Sequence, residues 1–395
     1  MKKIILLFVC LITVSYALAQ DRVVNPGVPF LLIAADARAA GMADMGVATS
    51  ADAFSQQWNP AKYAFATDAQ GFSVSYTPYL TDLVNDISLA QLTYYNKINE
   101  KSAFAGSIRY FGLGEIELRQ TGDPNEAFPI VSPNEFAVDG SYSLKLSEKF
   151  SMAVAGRFIN SNLKVASDNT DATSASSFAV DVAGFFQSEE LAFREFNGRW
   201  RAGFNIQNLG PKISYDNDDA NSNFLPANLK FGTGFDFILD DYNKIALNVE
   251  FNKLLVPTPQ IATPVDLNGD GDTNDPLEDG IAQNNLNYNR RGWTSGVFRS
   301  FGDAPGGFSE ELQEITYSAG AEYLYQDSFA LRLGYFHESP VKGARQFFTL
   351  GAGFKYNVVK VDVSYLFSAS RVRNPLENTL RFSLTFNFGD KYDEY

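Results

Sequence analysis

The stretch Asp36–Ala61, DARAAGMADMGVATSADAFSQQWNPA, is rich in Ala and Gly, carries few charges and ends in Asn59-Pro60-Ala61. Its side chains are too small to build a core of their own and too apolar for a solvated tail. From Gly71 onward the chain becomes a long series of segments with a two-residue period. A wall of strands wrapped around the stretch would supply the burial it needs. The expected fold is all-β membrane: an antiparallel outer-membrane β-barrel of about fourteen strands with an N-terminal Ala/Gly-rich plug in its lumen.

The alternation is strict. Phe329, Leu331, Leu333 and Tyr335 share one face, with Ala330, Arg332 and Gly334 on the other. Phe231, Thr233, Phe235 and Phe237 oppose Lys230, Gly232, Gly234 and Asp236, and Leu380, Phe382, Leu384 and Phe386 oppose Arg381, Ser383 and Thr385. This is the strand signature. In a soluble sandwich the charged face meets water; in a membrane barrel the relation inverts, and the charged or small face lines the lumen. Period alone does not separate the two.

Segment length and loop pattern do. Segments such as 134–146, 149–166, 226–239 and 378–388 exceed the roughly five or six residues usual in globular sheets. They reach the about 9–11 that a tilted membrane strand needs. Connections alternate between tight (Ser147-Glu148, Asp240-Asp241, Gln326, Asn357) and long (Leu113–Pro133, Asn208–Leu225, Leu254–Leu312). Short periplasmic turns and long outer loops are the outer-membrane habit, and an even strand count would put both termini in the periplasm. The 34 Phe and 19 Tyr suit a lipid-facing band, and several cluster near segment ends, as at Tyr94-Tyr95, Tyr110-Phe111 and Tyr335-Phe336.

The chain opens with Met1-Lys2-Lys3, an apolar run Ile4–Tyr16 and Ala17-Leu18-Ala19. That is the layout of a secretory leader, too short to span a membrane. The expected organisation is a leader over 1–19, a plug segment over 20–69 and a barrel over 70–395, with 254–312 as a long extracellular loop. Within the plug one or two short helices are expected, with Asp52 capping the second and Pro60 ending it. The single cysteine, Cys10, lies in the leader, so the mature chain has no thiol chemistry. Without Lys2 and Lys3 the chain carries 30 basic against 46 acidic side chains, which argues against nucleic acid as a partner.

Few constellations point to chemistry. Asp266, Asn268, Asp270 and Asp272 place oxygen ligands at alternate positions around glycine, a pattern that can wrap Ca²⁺. The twelfth position, however, is Leu277, and the acid Glu278 comes one residue late. The only histidine, His337, has no Gly-x-Ser-x-Gly elbow to serve, so it reads as a polar aromatic at the rim. Asp181, Asp236, Glu250, Glu322, Asp362, Arg109, Arg157, Arg332, Lys355 and Arg381 fall on the expected lumen face. There, ion pairs holding a plug are the simpler reading than acid–base catalysis. Glycines at alternate lumen positions, as at Gly232 and Gly351, fit close approach of another backbone. Trp293, near Arg290, Arg291 and Phe298, is a candidate partner contact. No catalytic residue, cofactor site, phosphate loop or zinc signature is read from the chain.

Asn59-Pro60-Ala61 resembles the end of the plug in the FadL-like channel superfamily. A fuller likeness runs through Val28–Ile33, Asp36–Gly46, Trp58–Lys62 and Gly203–Pro211. These stretches resemble the PorV (LptO) family, outer-membrane β-barrels of the Bacteroidetes type IX secretion system. The resemblance implies a protein-transport shuttle without catalytic residues. Its partners would be a translocon barrel (SprA- or Sov-like), the C-terminal signal domains of secreted cargo, and an attachment complex with a PorU-like sortase. A FadL-like channel for hydrophobic small molecules is the alternative. A lipid A deacylase, suggested by the second family name, lacks a nucleophile motif.

Overall fold

The computed structural model describes residues 23–391, apart from 82, 119–129, 164–173, 216–221, 274, 276–277 and 371–373. The expected leader, 1–19, lies outside the described residues. The wall has fourteen long strands: β1 Asp68–Pro78, β2 Ile87–Lys97, β3 Ser102–Leu113, β4 Asn134–Ser147, β5 Phe150–Asn162, β6 Ala175–Gln187 and β7 Asn197–Leu209, followed by β8 Asn228–Ile238, β9 Asn243–Leu254, β10 Ile315–Tyr325, β11 Phe329–His337, β12 Gln346–Tyr356, β13 Val359–Ser368 and β14 Leu380–Lys391. Each pairs antiparallel with its sequence neighbours, and β1 pairs with β14 to close the barrel. No helix among the described residues is long and apolar enough to cross a membrane.

The side-chain period decides which solvent each face meets. Phe329 and Leu331 are 56% and 62% exposed on the outside, while Arg332 between their row is 3% exposed inside. Phe231, Leu247, Phe251, Val361 and Phe382 repeat this, with Glu250, Asp362 and Arg381 buried on the inner face. An apolar band of this extent is far beyond what a water-soluble monomer leaves exposed. At one mouth the strands are joined by tight turns whose residues adopt positive φ, as at Gln326, Asp327 and Asn357. At the other the links are long.

The plug occupies the bore from end to end. Phe30 stacks on Phe111 at the long-loop end of β3, and Tyr63 stacks on Tyr95 at the short-turn end of β2. Four short helical pieces build it: 3-10 turns at Pro29–Leu32 and Pro60–Phe65, with α1 Ala37–Ala40 and α2 Ser55–Trp58 between them. Asp36 caps α1 through the Ala39 N–H at 2.8 Å. Asp52 is not the N-cap of α2, as expected from the sequence; that position falls to Phe54. Asp52 instead exchanges hydrogen bonds with Ser55, because its carboxylate is turned toward Arg38. Pro60 ends α2 and also opens the next 3-10 turn, where its fixed φ is at no disadvantage.

The path of the plug corrects one expectation. Gly27 donates to the Phe224 carbonyl at 2.8 Å, in the long connection after β7. The chain therefore enters at the long-loop mouth, runs down the bore and leaves at the short-turn mouth directly into β1. Lys391, at the end of β14, pairs with Asp68 at that same mouth. The two ends of the described chain thus lie at opposite mouths and not together on the periplasmic side. The even strand count fixes only β1 and β14, and the plug adds one more crossing.

A second feature was not foreseen. The connection between β9 and β10 holds three helices, α3 Ile281–Asn289, α4 Trp293–Arg299 and α5 Phe308–Gln313.

Candidate functional site

The lumen is where buried polar groups concentrate. Arg38 in α1 is held as a fork by Glu322 of β10, with Nη2···Oε2 at 2.8 Å and Nε···Oε1 at 3.1 Å. Its other arm reaches Asp52 at 2.7 Å and the Ser50 carbonyl. Glu322 is also paired with Arg332 at 2.6 Å, and Arg332 with Asp362 at 2.8 Å. Glu250 of β9 accepts two successive plug N–H groups, Gly46 at 2.8 Å and Val47 at 2.9 Å. Arg381 of β14 pairs with Asp44, and Arg109 of β3 donates to the Leu31 carbonyl. Burying so many charges is tolerable because most of them are paired with an opposite charge or hydrogen-bonded to the plug.

Neutral groups complete the seat. Asn59 Nδ2 donates to Val47 and Gly184 carbonyls at 2.9 and 3.0 Å, while its Oδ1 accepts the Ala61 N–H. The Ala61 carbonyl accepts from Ser151 at 2.7 Å, and Pro60 is wholly buried. Asn59-Pro60-Ala61 is therefore a three-way tie between plug, β5 and β6. The stretch Gly203–Pro211 is the matching row on β7: Asn205 donates to the Trp58 carbonyl and Gln207 to that of Gln57. A Cβ on Gly203 would lie 2.3 Å from the Val47 oxygen, and one on Gly351 would lie 3.0 Å from the Gly41 Cα. The lumen glycines thus permit backbone contact, whereas Gly353 makes room for Asp362 of the wall itself. Between the plug and the wall, a cavity of about 540 Å³ lies at the short-turn end, lined by Arg38, Asp52, Arg201, Asp236, Lys355 and Lys360 among others.

Of the charged lumen residues read from the sequence, eight are buried inside, while Asp236 and Lys355 line this cavity half-buried. The plug partners Arg38, Asp44 and Asp52 were missed. No periodicity marks a charge on an irregular segment, and only its position before a wall of opposite charge would have found it.

At the long-loop mouth a second ionic cluster ties α5 to the rim. Lys253 at the end of β9 holds Glu311 and Glu314 at 2.9 and 2.8 Å, and Lys342 holds Glu310 and Glu314 at 2.7 and 2.9 Å. Burial pushes the Glu314 carboxyl up, but hydrogen bonds from Lys253, Thr258 and Lys342 outweigh it and hold the group below its ordinary value. Burial raises Asp303, which pairs with Arg291.

The acidic tip of this loop is arranged differently from the sequence pattern. Asp270 and Asp272 converge with Asp275, their oxygens within 4.8 Å of one another and all exposed. Asp266 turns its two oxygens to the Gly269 and Gly271 N–H groups, and Asn268 turns its amide to Asp270 and Asp275. Ca²⁺ takes about six to eight oxygens, so these three carboxylates are a partial set. Trp293 is half-buried at the start of α4, whose exposed ring is Phe298, 80% accessible. His337 stacks on Tyr317 at 4.7 Å, with the Tyr335 hydroxyl as its hydrogen-bond partner.

A search of curated protein sequences finds no match. Among solved structures the chain is similar to the CymD monoaromatic hydrocarbon channel, at 12% identity over 92% of this chain and 99% of that one, TM-score 0.49. It is similar to the toluene transporter TodX of P. putida at 11% identity over 90% and 99%, TM-score 0.49. It is similar to the toluene transporter TbuX of Ralstonia pickettii at 11% identity over 91% and 100%, TM-score 0.47. The family model described as type IX secretion system protein PorV matches residues 16–261, a span that takes in the plug and the first nine wall strands. With more than half of its length inside that model, the chain belongs to the PorV family of type IX secretion system proteins, as an outer-membrane barrel component.

Proposed function

We propose that the chain is a non-enzymatic carrier. It takes secreted cargo by the cargo's C-terminal signal domain at a SprA- or Sov-like translocon barrel. It then hands the cargo to an attachment complex with a PorU-like sortase. The observation that supports this reading is the occupied bore: plug groups are hydrogen-bonded to most of the wall strands, from Thr77 in β1 to Ser383 in β14. A barrel whose bore is filled has its working surfaces on the outside. A conduit for hydrophobic small molecules needs a greasy bore, and this one is lined by ion pairs such as Arg332–Glu322.

In this reading residues 1–19 are removed on export, the short-turn mouth faces the periplasm, and the 254–312 loop is the cargo-binding element. That loop is the longest connection and is latched to the rim through Lys253 and Lys342. A Ca²⁺ on Asp270, Asp272 and Asp275 would stiffen its tip, and the reading does not require one. Deleting Pro264–Arg290 removes the tip and α3 while leaving the latch. The expected result is a barrel that still inserts but delivers less cargo to the cell surface. Unchanged delivery would rule this loop out as the recognition element.

A further inference from the structure

The cavity between plug and wall holds charges that the ion-pair network leaves over. It reaches the short-turn mouth, where Glu190 and Asp327 stand at its edge with side chains 40% and 65% exposed. Its volume of about 540 Å³ is that of a small-ligand site. Most of the charges that line it cancel. Arg38 is held by Asp52 and Glu322, Arg199 by Glu190, Arg201 by Asp236 and Lys244 by Asp327. Among the described residues, two lining charges remain without an ion pair: Asp68, at the start of β1, and Lys355, near the end of β12.

Lys355 has a like charge beside it. Its register partner on β13 is Lys360, and both line the cavity. Like charges directly opposite each other on one face of a sheet are destabilising. Lys360 reaches Asp362 at 3.3 Å, but Asp362 is already held by Arg332 at 2.8 Å. On the other side of Lys360 stands its register partner on β14, Thr385, which also lines the cavity and is 4% exposed. The Thr385 hydroxyl has no hydrogen-bond partner among the described residues, and a buried hydroxyl left alone is costly.

Three donors on three adjacent strands thus face one space, with only the shared Asp362 to accept. Asp68 does not offset them. Its register partner is Lys391, and Thr385 lies farther up the same strand by about 20 Å at the usual rise per residue. Water would satisfy the hydroxyl but not the two ammonium charges. The acceptor that completes this set is negative and carries more than one oxygen.

We infer that the short-turn cavity is a binding site for a small oxyanion compound, a carboxylate or a phosphate, held between Lys355 and Lys360 with Thr385 as the neutral donor. The site goes beyond the carrier reading and does not depend on it. The first test is reductive methylation of the full chain in detergent, with each lysine followed by peptide mass spectrometry. Citrate and pyrophosphate at millimolar concentration are the two probes, and chloride at equal ionic strength is the control. The expected result is that at least one probe slows modification of Lys355 and Lys360 several-fold while the exposed Lys101 is unaffected. The probe that protects identifies the group as carboxylate or phosphate, and protection by both assigns the site to oxyanions in general. No protection by either, or equal slowing at Lys101, would overturn the inference.

The second test reads binding as a rise in the temperature at which the folded barrel converts to the unfolded form. The protecting probe should raise it in the parent, and several-fold less in Lys355→Gln and in Thr385→Val. An equal rise in parent and variants would place the anion elsewhere and overturn the assignment. Lys355→Gln removes a half-buried group that has no partner to lose, so this chain is expected to fold as the parent does. Should neither variant fold, the protection experiment, which uses the parent chain, decides alone.

Discussion

Glu322 joins the plug to two strands of the wall. It holds Arg38 of the plug and Arg332 of the neighbouring strand, and it is almost wholly buried. Removing one partner of a buried ion pair leaves an uncompensated charge, at a cost of about 3–5 kcal/mol. Glu322→Ala is therefore expected to lower the temperature at which the folded barrel converts to the slow-migrating unfolded form. Arg38→Met combined with Glu322→Leu should recover much of that loss. An unchanged conversion temperature for the single variant would mean that Glu322 does not hold the plug. Side was legible here and partner was not. Alternation in Ala321-Glu322-Tyr323 places the acid inside, but nothing in a two-residue period says which plug residue will stand opposite it.

The strands were the easiest elements to read because the wall meets lipid on one face and packed polar groups on the other, which forces strict alternation. The bounds differ from expectation mainly at β5, which ends at Asn162 and not at 166. The helices of the 254–312 loop were illegible for a matching physical reason. α3 buries no residue, and α5 is held by carboxylates and not by an apolar stripe, so no hydrophobic period announces either. The latch on α5 makes a prediction of its own. Glu314 is held below its ordinary value in the folded state, so its contribution is complete above the unfolded carboxyl value of about 4.3. It is lost as pH falls through the lower folded value. Asp303, raised by burial, works in the opposite sense, which is why the test compares variants. Glu314→Gln should make the loop more sensitive to protease than the parent at pH 7, and the difference should shrink as pH falls below the unfolded carboxyl value and through the lower folded one. A difference that persists at low pH would place the effect elsewhere.

At the scale of the whole molecule, the barrel and its plug were both readable, the first from period and loop lengths, the second from a stretch too small-sided to fold alone. The direction of the plug was not. Composition says that Asp36–Ala61 is buried in a bore but carries no sign of which mouth it enters by, and that is fixed by contacts such as Gly27 with Phe224. An epitope inserted between Arg22 and Val23 is accordingly expected to bind antibody on intact cells, and one appended after Tyr395 only after permeabilisation. Protection of the first epitope on intact cells would reverse the path.

The central claim is that the plug sits against the wall in the native membrane. A Cβ built on Gly320 of β10 lies 3.2 Å from the Cβ of Met42 in the plug, close to the about 3.5–4.5 Å of a disulfide. Cys10 is the only cysteine in the sequence, and under the proposed function it leaves with residues 1–19. With Met42→Cys and Gly320→Cys together, the account predicts that most molecules in outer membranes form an internal disulfide, seen as a reductant-sensitive mobility shift after denaturation. Two free thiols, both open to a membrane-impermeant maleimide, would contradict it.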